Sequence, residues 1–350
     1  MFKNVSIIGD GGMGTVLAML LCEKRDSSAA VRETSVRMWG YDRQQLEEIE
    51  QNRENKKFLP GYKLPEEILF EADDKRIIEG ADLLVSAVPC QFMRGIWSRL
   101  KGYVPENVPV VSVAKGIEND TLLRPTEILE EILDEKRGAR DEGRGKRFAV
   151  LSGPTIADEL AQRLPATACA AAEDEALAQE IQHTFSDGVS WLRCYSNADI
   201  VGVELAGAMK NVIAIAAGII DGTRTGDNAK AALLTRGLAE ISRLGLAMGA
   251  SRETFAGLTG LGDLVTTCIS PKGRNRSFGE RIGKGQTTEQ ALGVNESVVE
   301  GVATCKSVVA LAGKYDVEMP ITKAIYEVLF ENKPVQKAIT DLMKRELKAE

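Results

Sequence analysis

The sequence has little histidine and no closely spaced cysteine pair, and each shortage excludes a kind of chemistry. His183 is the only histidine among 350 residues, so neither a histidine pair nor a set of histidine metal ligands can be built. His183 lies in a predicted surface helix without a neighbouring motif, and we expect it to be structural or solvated. The six cysteines include no Cys-x-x-Cys pair, which indicates reduced thiols and predicts neither a disulfide framework nor a zinc site. Proton transfer must therefore fall to lysine, aspartate, glutamate, tyrosine or cysteine.

A basic surplus and a long hydrophobic run are also missing. The chain carries 44 Lys and Arg against 51 Asp and Glu, a formal net charge of −7, which repels polyanions and argues against nucleic-acid binding. The longest apolar stretch, around residues 212–220, is well below the ~18 residues of a membrane span. A β-like run near the first residue leaves no room for a signal peptide. We expect a cytoplasmic protein with no membrane span and no metal, whose anionic ligand is small and held in a local pocket.

Hydrophobic patterning divides the chain into two halves. In the first, short β-branched runs alternate with helical stretches, and several runs are almost continuously apolar, as in buried parallel strands. The predicted strands cover residues 5–9, 35–40, 81–89, 108–114, 147–152 and 167–172. In the second half, small and apolar residues recur at helical spacing over residues 200–220, 229–248, 300–312 and 321–330. The pattern predicts an α/β fold, with an N-terminal doubly wound sheet over residues 1–196 and an all-α C-terminal domain over residues 197–350. The charged segment 137–146 is predicted to be a solvated loop.

A glycine-rich motif follows the first predicted strand. Gly9, Gly11 and Gly14 form a Gly-x-Gly-x-x-Gly pattern that opens a predicted helix over residues 15–23. In this position the glycines allow a tight turn, close approach of the backbone to a pyrophosphate and close packing of helix on strand. We therefore interpret residues 1–196 as a Rossmann-type dinucleotide-binding domain; the alternative is an ordinary glycine turn.

The second predicted strand ends in Tyr41, Asp42 and Arg43, where a Rossmann-type domain holds the adenine ribose. Asp42 could accept the ribose hydroxyls of NAD, whereas Arg43 could pair with the 2′-phosphate of NADP. The sequence leaves this choice open.

Polar residues follow two later strands at the carboxyl edge of the predicted sheet, where doubly wound sheets bind ligands. Lys115 follows the strand over residues 108–114, and Gly153 and Thr155 follow the strand over residues 147–152. We expect these groups to face one crevice. The alternative for Lys115 is a solvated lysine at the end of a strand.

Lys210 is the most informative residue of the second half. Its neighbours at helical spacing are Ala206, Gly207, Ile213 and Ala214, so its ammonium is predicted to be desolvated on an apolar face. Desolvation lowers the pKa of a lysine towards neutrality, which suits a group that gives and takes a proton. The alternative is a lysine whose ammonium reaches water past small neighbours.

Two further segments of the second half carry candidate chemistry. Asp263, in a glycine-rich stretch, could hold Lys210 by an ion pair, or alternatively cap a helix N-terminus. Residues 272–276 form a cluster of donors in which the guanidinium of Arg274 beside the amide of Asn275 suits a phosphate monoester. The alternative for this cluster is a solvated run of charges.

The chain resembles the NAD(P)-dependent glycerol-3-phosphate dehydrogenases over essentially its whole length. The motifs that carry the resemblance, in the family's order, are residues 9–14, 88–89, 113–116, 152–155, 207–212, 260–263, 274–276 and 298–301. The resemblance implies reversible reduction of dihydroxyacetone phosphate to sn-glycerol 3-phosphate with NADH or NADPH. It further implies a role in supplying glycerol 3-phosphate for phospholipid synthesis, and a homodimer.

The resemblance also implies a role for each matched residue. Lys210 would be the proton donor and acceptor, Lys115 would add positive charge where negative charge develops, and Asp263 would orient Lys210 and the substrate hydroxyl. The implied substrate-binding residues are Lys115, Gly153, Thr155, Lys210, Asp263, Thr267, Arg274 and Asn275. The implied cofactor-binding residues are Gly9, Gly11, Gly12, Met13, Gly14, Tyr41, Asp42, Arg43, Lys115, Ala157, Arg274, Val298 and Glu300.

The sequence departs from the family pattern at several positions, and two alternative functions are open. Gly12 and Met13 stand where many members carry a hydroxyl and an aromatic residue, and the loops over residues 25–34 and 137–146 are longer than usual. A β-hydroxyacid-type dehydrogenase with another small substrate is one alternative, although Arg274 and Asn275 favour a phosphate. A non-catalytic NAD(P) sensor is the other, although it would have no use for the catalytic residues.

Overall fold

The computed structural model describes residues 2–23, 34–134, 146–294 and 298–347. The loops predicted over residues 25–34 and 137–146 lie almost entirely outside these ranges. Contacts between Cα atoms divide the chain into two compact units, the first Met1–Lys115 with Arg124–Glu204 and the second Gly116–Leu123 with Leu205–Glu350. The division thus falls beyond the predicted position between residues 196 and 197, and a short earlier segment belongs to the second unit.

An eight-stranded sheet forms the centre of the first unit. Its strands are β1 Asn4–Ile8, β2 Ser35–Trp39, β3 Ile68–Phe70, β4 Leu83–Ser86, β5 Val110–Ser112, β6 Phe148–Ser152, β7 Ala166–Ala172 and β8 Leu192–Asn197. The strand order is β3-β2-β1-β4-β5-β6-β7-β8, and all neighbours are parallel except β6 and β7, which are antiparallel. The predicted α/β fold is confirmed. The apolar pattern misses β3, which has three residues, and β8, in which buried and exposed residues alternate.

Seven helices of the first unit lie within the described residues. They are α1 Gly12–Cys22, α2 Arg43–Asn52, α3 Asp74–Ile78, α4 Cys90–Leu100, α5 Pro125–Leu133, α6 Ala157–Ala161 and α7 Glu175–Ser186. Strand β1 is buried from its second residue onward, and its Val5 and Ile7 pack in one core with Val16 and Leu17 of α1. Burial on both faces explains why the strands read as nearly continuous apolar runs.

The second unit contains helices and no strand within its described residues. Helix α8 Ile200–Thr223 begins in the first unit and continues into the second. The remaining elements are α9 Asp227–Ala247, α10 Arg252–Ala256, a single π-helical turn Leu258–Gly262, α11 Asp263–Ile269, α12 Arg274–Gly283, α13 Thr288–Gly293, α14 Glu300–Lys314, α15 Pro320–Phe330 and α16 Val335–Met343. The four longest helical patterns in the sequence correspond to α8, α9, α14 and α15.

Helices α8 and α12 approach each other so closely that their backbones touch. A Cβ atom added to Gly218 of α8 would lie 1.9 Å from the carbonyl oxygen of Arg276, and one added to Gly279 of α12 would lie 2.0 Å from that of Ile215. Only glycine leaves room for this contact. Since Lys210 lies on α8 and Arg274 begins α12, the contact fixes where these two side chains start.

Helix α8 is long and apolar enough to cross a membrane by length and composition, although charged residues interrupt its apolar run. However, 94% of its most apolar window is buried inside the protein, as in the core helix of a globular protein. No other helix in the described part of the chain meets the same criterion.

Candidate active site

The glycine motif forms the junction between β1 and α1. Gly9 has φ +120°, and a Cβ atom on Gly14 would lie 2.1 Å from the carbonyl oxygen of Gly9, so both positions require glycine. Gly11 has open space where a side chain would stand. It occupies the N-cap of α1 without a capping side chain, and the first turn contains no acidic residue. This open, uncapped helix N-terminus fits a pyrophosphate.

Asn55, which the sequence pattern does not single out, holds this junction in place. Its buried amide donates to the carbonyl oxygen of Asp10 and to Oγ1 of Thr15, both at 2.7 Å, and its Oδ1 accepts from the backbone N–H of Phe58. The carbonyl of Phe58 in turn lies against Gly12, where a Cβ atom would be 2.8 Å from the oxygen and 3.8 Å from Cβ of Ala157. The predicted cofactor residues Gly12 and Ala157 are thus neighbours.

Tyr41 and Asp42 are exposed between β2 and α2, and Arg43 is the exposed first residue of α2. Asp42 is the N-cap of α2, and its Oδ1 accepts from the backbone N–H groups of Gln44 and Gln45 at 3.0 and 3.3 Å. Arg43 pairs with Glu47 one turn further along the helix, at 3.0 Å. Both candidate ribose ligands therefore already have partners within α2.

Lys115, Gly153 and Thr155, which are predicted to bind substrate, lie together in the first unit. Nζ of Lys115 donates to the carbonyl oxygen of Gly153 at 2.8 Å, and Oγ1 of Thr155 donates to the same oxygen at 3.1 Å. Gly153 has φ +121°, which turns the chain sharply after β6. The structure thus places this lysine beside the loop that follows the neighbouring strand.

Lys210 is buried in the second unit, with a relative exposure of 7%, and its ammonium has protein partners. Its Nζ donates to Oδ1 of Asp263 at 2.9 Å and to Oγ1 of Thr267. Oγ1 of Thr267 also donates to Oδ1 of Asp263, at 3.4 Å. Asp263 is the first residue of α11 and its exposure is 2%, so its carboxylate holds the lysine and is not the N-cap. Lysine, aspartate and threonine form one closed hydrogen-bonded group.

An irregular stretch of backbone leads into Asp263. The π-helical turn Leu258–Gly262 immediately precedes this residue, and π-helical turns are frequent at functional sites. Gly260 makes the turn possible, because a Cβ atom there would lie 2.1 Å from the carbonyl oxygen of Phe255. Burial raises the pKa of the nearby Cys268 thiol to about 12, so this cysteine stays protonated and is no rival base.

The predicted donor cluster at residues 272–276 does not act as a single group. Arg274 is exposed at the start of α12, whereas Arg276 pairs with Asp221 of α8. Asn275 is buried, and its amide donates to Oδ1 of Asn211 while its Oδ1 accepts from the backbone N–H of Gly301, both at 2.9 Å. Asn275 thus joins α8, α12 and α14.

Two of the predicted residues begin or precede α14. Glu300 is the first residue of this helix, and Val298 is 38% exposed two residues earlier. Asn211 is a further residue that the sequence analysis misses, although it directly follows Lys210. Its position on the helix bearing the predicted proton donor is the signal that could have identified it.

Two expectations concern histidine chemistry and metal binding. His183 is exposed on α7 and lies 3.1 Å from Asp187, in agreement with a solvated histidine. Within the described ranges no three histidine, cysteine, aspartate or glutamate residues are grouped so that they could hold a metal.

A Rossmann-type sheet with an open glycine-rich junction and a helical unit with a buried, paired lysine define a nicotinamide-dependent dehydrogenase. Two family models match the chain: the N-terminal part of NAD-dependent glycerol-3-phosphate dehydrogenase over residues 4–178, and its C-terminal part over residues 199–340. The chain belongs to the NAD-dependent glycerol-3-phosphate dehydrogenase family. It is therefore an oxidoreductase that uses NAD or NADP.

Individual relatives agree over the full length. Proteins named glycerol-3-phosphate dehydrogenase [NAD(P)+] from Geobacter sp. (strain M21) and Chlorobium phaeobacteroides are each 44% identical to this chain, covering 100% and 99% of it and 99% of each relative. The crystal structure of glycerol-3-phosphate dehydrogenase from Coxiella burnetii superposes with a TM-score of 0.89. It is 32% identical and covers 98% of this chain and 99% of its own.

Proposed function

We propose that this protein catalyses the reversible reduction of dihydroxyacetone phosphate to sn-glycerol 3-phosphate with NADH or NADPH. The observation that carries the proposal is the buried group of Lys210, Asp263 and Thr267. It provides a buried ammonium whose direction is fixed by two partners, in a chain whose full-length relatives are named glycerol-3-phosphate dehydrogenase.

Lys210 is the proposed general acid for reduction and general base for oxidation. A bound nicotinamide supplies the hydride that adds to C2 of the substrate. Lys210 protonates the oxygen at C2 as negative charge develops there, and takes the proton back in the reverse direction. Asp263 fixes the direction of the ammonium, and Thr267 links the two because its hydroxyl accepts from Lys210 and donates to Asp263.

The other predicted residues bind and orient the ligands in this proposal. Lys115 contributes a positive charge held against Gly153, which stabilises the developing alkoxide. Arg274 binds the phosphate, because an exposed guanidinium makes paired hydrogen bonds to phosphate oxygens. Both the nitrogen and the oxygen of the Asn275 amide are hydrogen-bonded within the protein. We therefore assign Asn275 a role in positioning α12, in addition to phosphate binding.

The cofactor is held by the junction between β1 and α1 in this proposal. The backbone N–H groups after Gly11 bind the pyrophosphate, and Ala157 lies beside Gly12. The other proposed cofactor residues, by resemblance to the family, are Gly9, Met13, Gly14, Tyr41, Asp42, Arg43, Lys115, Arg274, Val298 and Glu300.

We place this activity in the cytoplasm, where its product supplies phospholipid synthesis, and propose that the protein is a homodimer. The dimer rests on family resemblance. Size-exclusion chromatography with light scattering tests it directly: a mass of one chain would contradict it.

The function is tested by following the absorbance of NADH and NADPH with two substrates in parallel, dihydroxyacetone phosphate and unphosphorylated dihydroxyacetone. We expect oxidation of at least one cofactor with the phosphate ester. Loss of the charged hydrogen bonds to phosphate should lower kcat/KM for dihydroxyacetone by about tenfold to hundredfold. Equal efficiency with both substrates, or no oxidation with either, would contradict the proposal.

A further inference from the structure

Asp10, the second residue of the glycine motif, places a carboxylate at the carboxyl ends of β1 and β2. Its Oδ2 lies only 2.7 Å from where a Cβ atom would stand on Gly40, the residue that follows β2. The lack of a side chain on Gly40 therefore admits this carboxylate. It lies at the edge of the sheet where a Rossmann-type domain holds the adenine ribose.

A chain of hydrogen bonds fixes the direction of Asp10. Nε2 of Gln45 donates to its Oδ2 at 2.7 Å, and Nζ of Lys57 donates to Oε1 of Gln45 at 3.1 Å. Asn55 holds the backbone of Asp10 through its carbonyl oxygen. Burial raises the pKa of the Asp10 carboxyl above its ordinary value, opposed by hydrogen bonds from its own backbone and from Gln45, while the charge of Asp42 raises it further.

We propose that Asp10 is a specificity-determining residue that selects NAD(H) over NADP(H). With Asp42 it gives the ribose end of the site two carboxylates. A ribose 2′-hydroxyl can donate a hydrogen bond to a carboxylate, whereas a 2′-phosphate, with a charge of about −1.5 to −2, is repelled by it.

The nearby cations already have protein partners, although the charge of Lys57 also lowers the pKa of the Asp10 carboxyl. Arg43 pairs with Glu47 on the exposed face of α2, and Lys57 donates to Gln45. A 2′-phosphate would compete with Glu47 for Arg43 and with Gln45 for Lys57. The arrangement therefore favours NAD(H) over NADP(H) in two ways, because the carboxylates attract the ribose hydroxyls and repel the 2′-phosphate.

The inference rests on the proposed use of a nicotinamide cofactor and is independent of the substrate. Binding of NADH and NADPH to the purified full-length protein, measured by calorimetry without substrate, gives a readout apart from activity. We expect the Kd for NADPH to exceed that for NADH by about tenfold or more. Asp10→Asn keeps an oxygen for Gln45 but removes the charge, and should lower the ratio of the two Kd values about tenfold.

Asp174→Asn is the matched control. Asp174 is an exposed helix N-cap like Asp42, but it follows β7, which runs antiparallel to β6, and so lies at the opposite edge of the sheet. The Asp174→Asn substitution changes the net charge by the same amount as Asp10→Asn and should leave the ratio of the two Kd values unchanged.

Tighter binding of NADPH by the native protein, or an unchanged ratio in folded Asp10→Asn, would overturn the inference. If that variant does not fold, a competition experiment on the native protein replaces it. Adenosine 5′-diphosphate and its 2′-phosphorylated analogue are compared for their ability to displace bound NADH. We expect the unphosphorylated compound to compete better; equal or better competition by the analogue would refute the inference. A protein that shows this preference but does not reduce dihydroxyacetone phosphate would refute the proposed function alone.

Discussion

Replacing Gly218 by alanine should separate α8 from α12 and thereby disturb the site. The added methyl carbon would lie 1.9 Å from the carbonyl oxygen of Arg276, roughly 1.5 Å short of an ordinary contact. The opposing atom is backbone and cannot rotate away, so the helices must move apart. Overpacking of this kind costs about 1–3 kcal/mol, and exceeds the ~1 kcal/mol that alanine gains over glycine in a helix.

Gly313→Ala provides the matched control in the same unit. Gly313 lies in α14, and a Cβ atom there would meet no heavy atom within 4 Å. This variant should gain about 0.5–1 kcal/mol in free energy of unfolding.

Urea unfolding followed by circular dichroism measures both effects, and steady-state kinetics measures the consequence for the site. Because α12 begins with Arg274, we expect Gly218→Ala to lower kcat/KM for dihydroxyacetone phosphate by up to about a hundredfold. A Gly218→Ala protein with native stability and native kcat/KM would refute the packing account.

Three further predictions concern single side chains. Arg274→Ala should raise KM for dihydroxyacetone phosphate about tenfold or more, with partial recovery in Arg274→Lys; an unchanged KM would contradict phosphate binding by this residue. Asn211→Ala leaves the amide of Asn275 without its acceptor and should cost about 1–3 kcal/mol in urea unfolding; native stability would contradict this. Burial raises the pKa of the Glu240 carboxyl above its ordinary value of 4.5. The contribution of Glu240 to the free energy of unfolding is therefore largest below pH 4.5, and it declines as the pH rises through the pKa of the folded state. The free energy of unfolding of the native protein should therefore fall relative to Glu240→Gln as the pH rises above 4.5, and a rise would contradict the assignment.

Much of the fold could be predicted because local patterns reflect burial directly. Strands buried on both faces leave apolar runs, and the glycine motif reports a junction whose geometry excludes side chains. The burial of Lys210 follows from its helical neighbours alone, all of which are small or apolar.

The remaining features depend on contacts between distant parts of the chain. Asn55 reaches Asp10 across 45 positions, and no local pattern marks such a bond. The direction of Arg276 depends on which face of α12 packs on α8, so the sequence suggests one donor cluster where the structure has separate side chains. Asp42 is a different case, because an aspartate before a helix is a common N-cap signal and its capping role could have been predicted beside the ribose interpretation.

The central claim is that Lys210 transfers the proton, and the turnover of Lys210→Met tests it most directly. We expect kcat for reduction of dihydroxyacetone phosphate to fall by about 10²–10⁴, while the Kd for NADH changes by less than about twofold. Lys333→Met removes another ion-paired lysine of the same unit and should retain kcat within about twofold. A folded Lys210→Met protein that binds NADH and turns over at a rate close to that of the native protein would contradict the account.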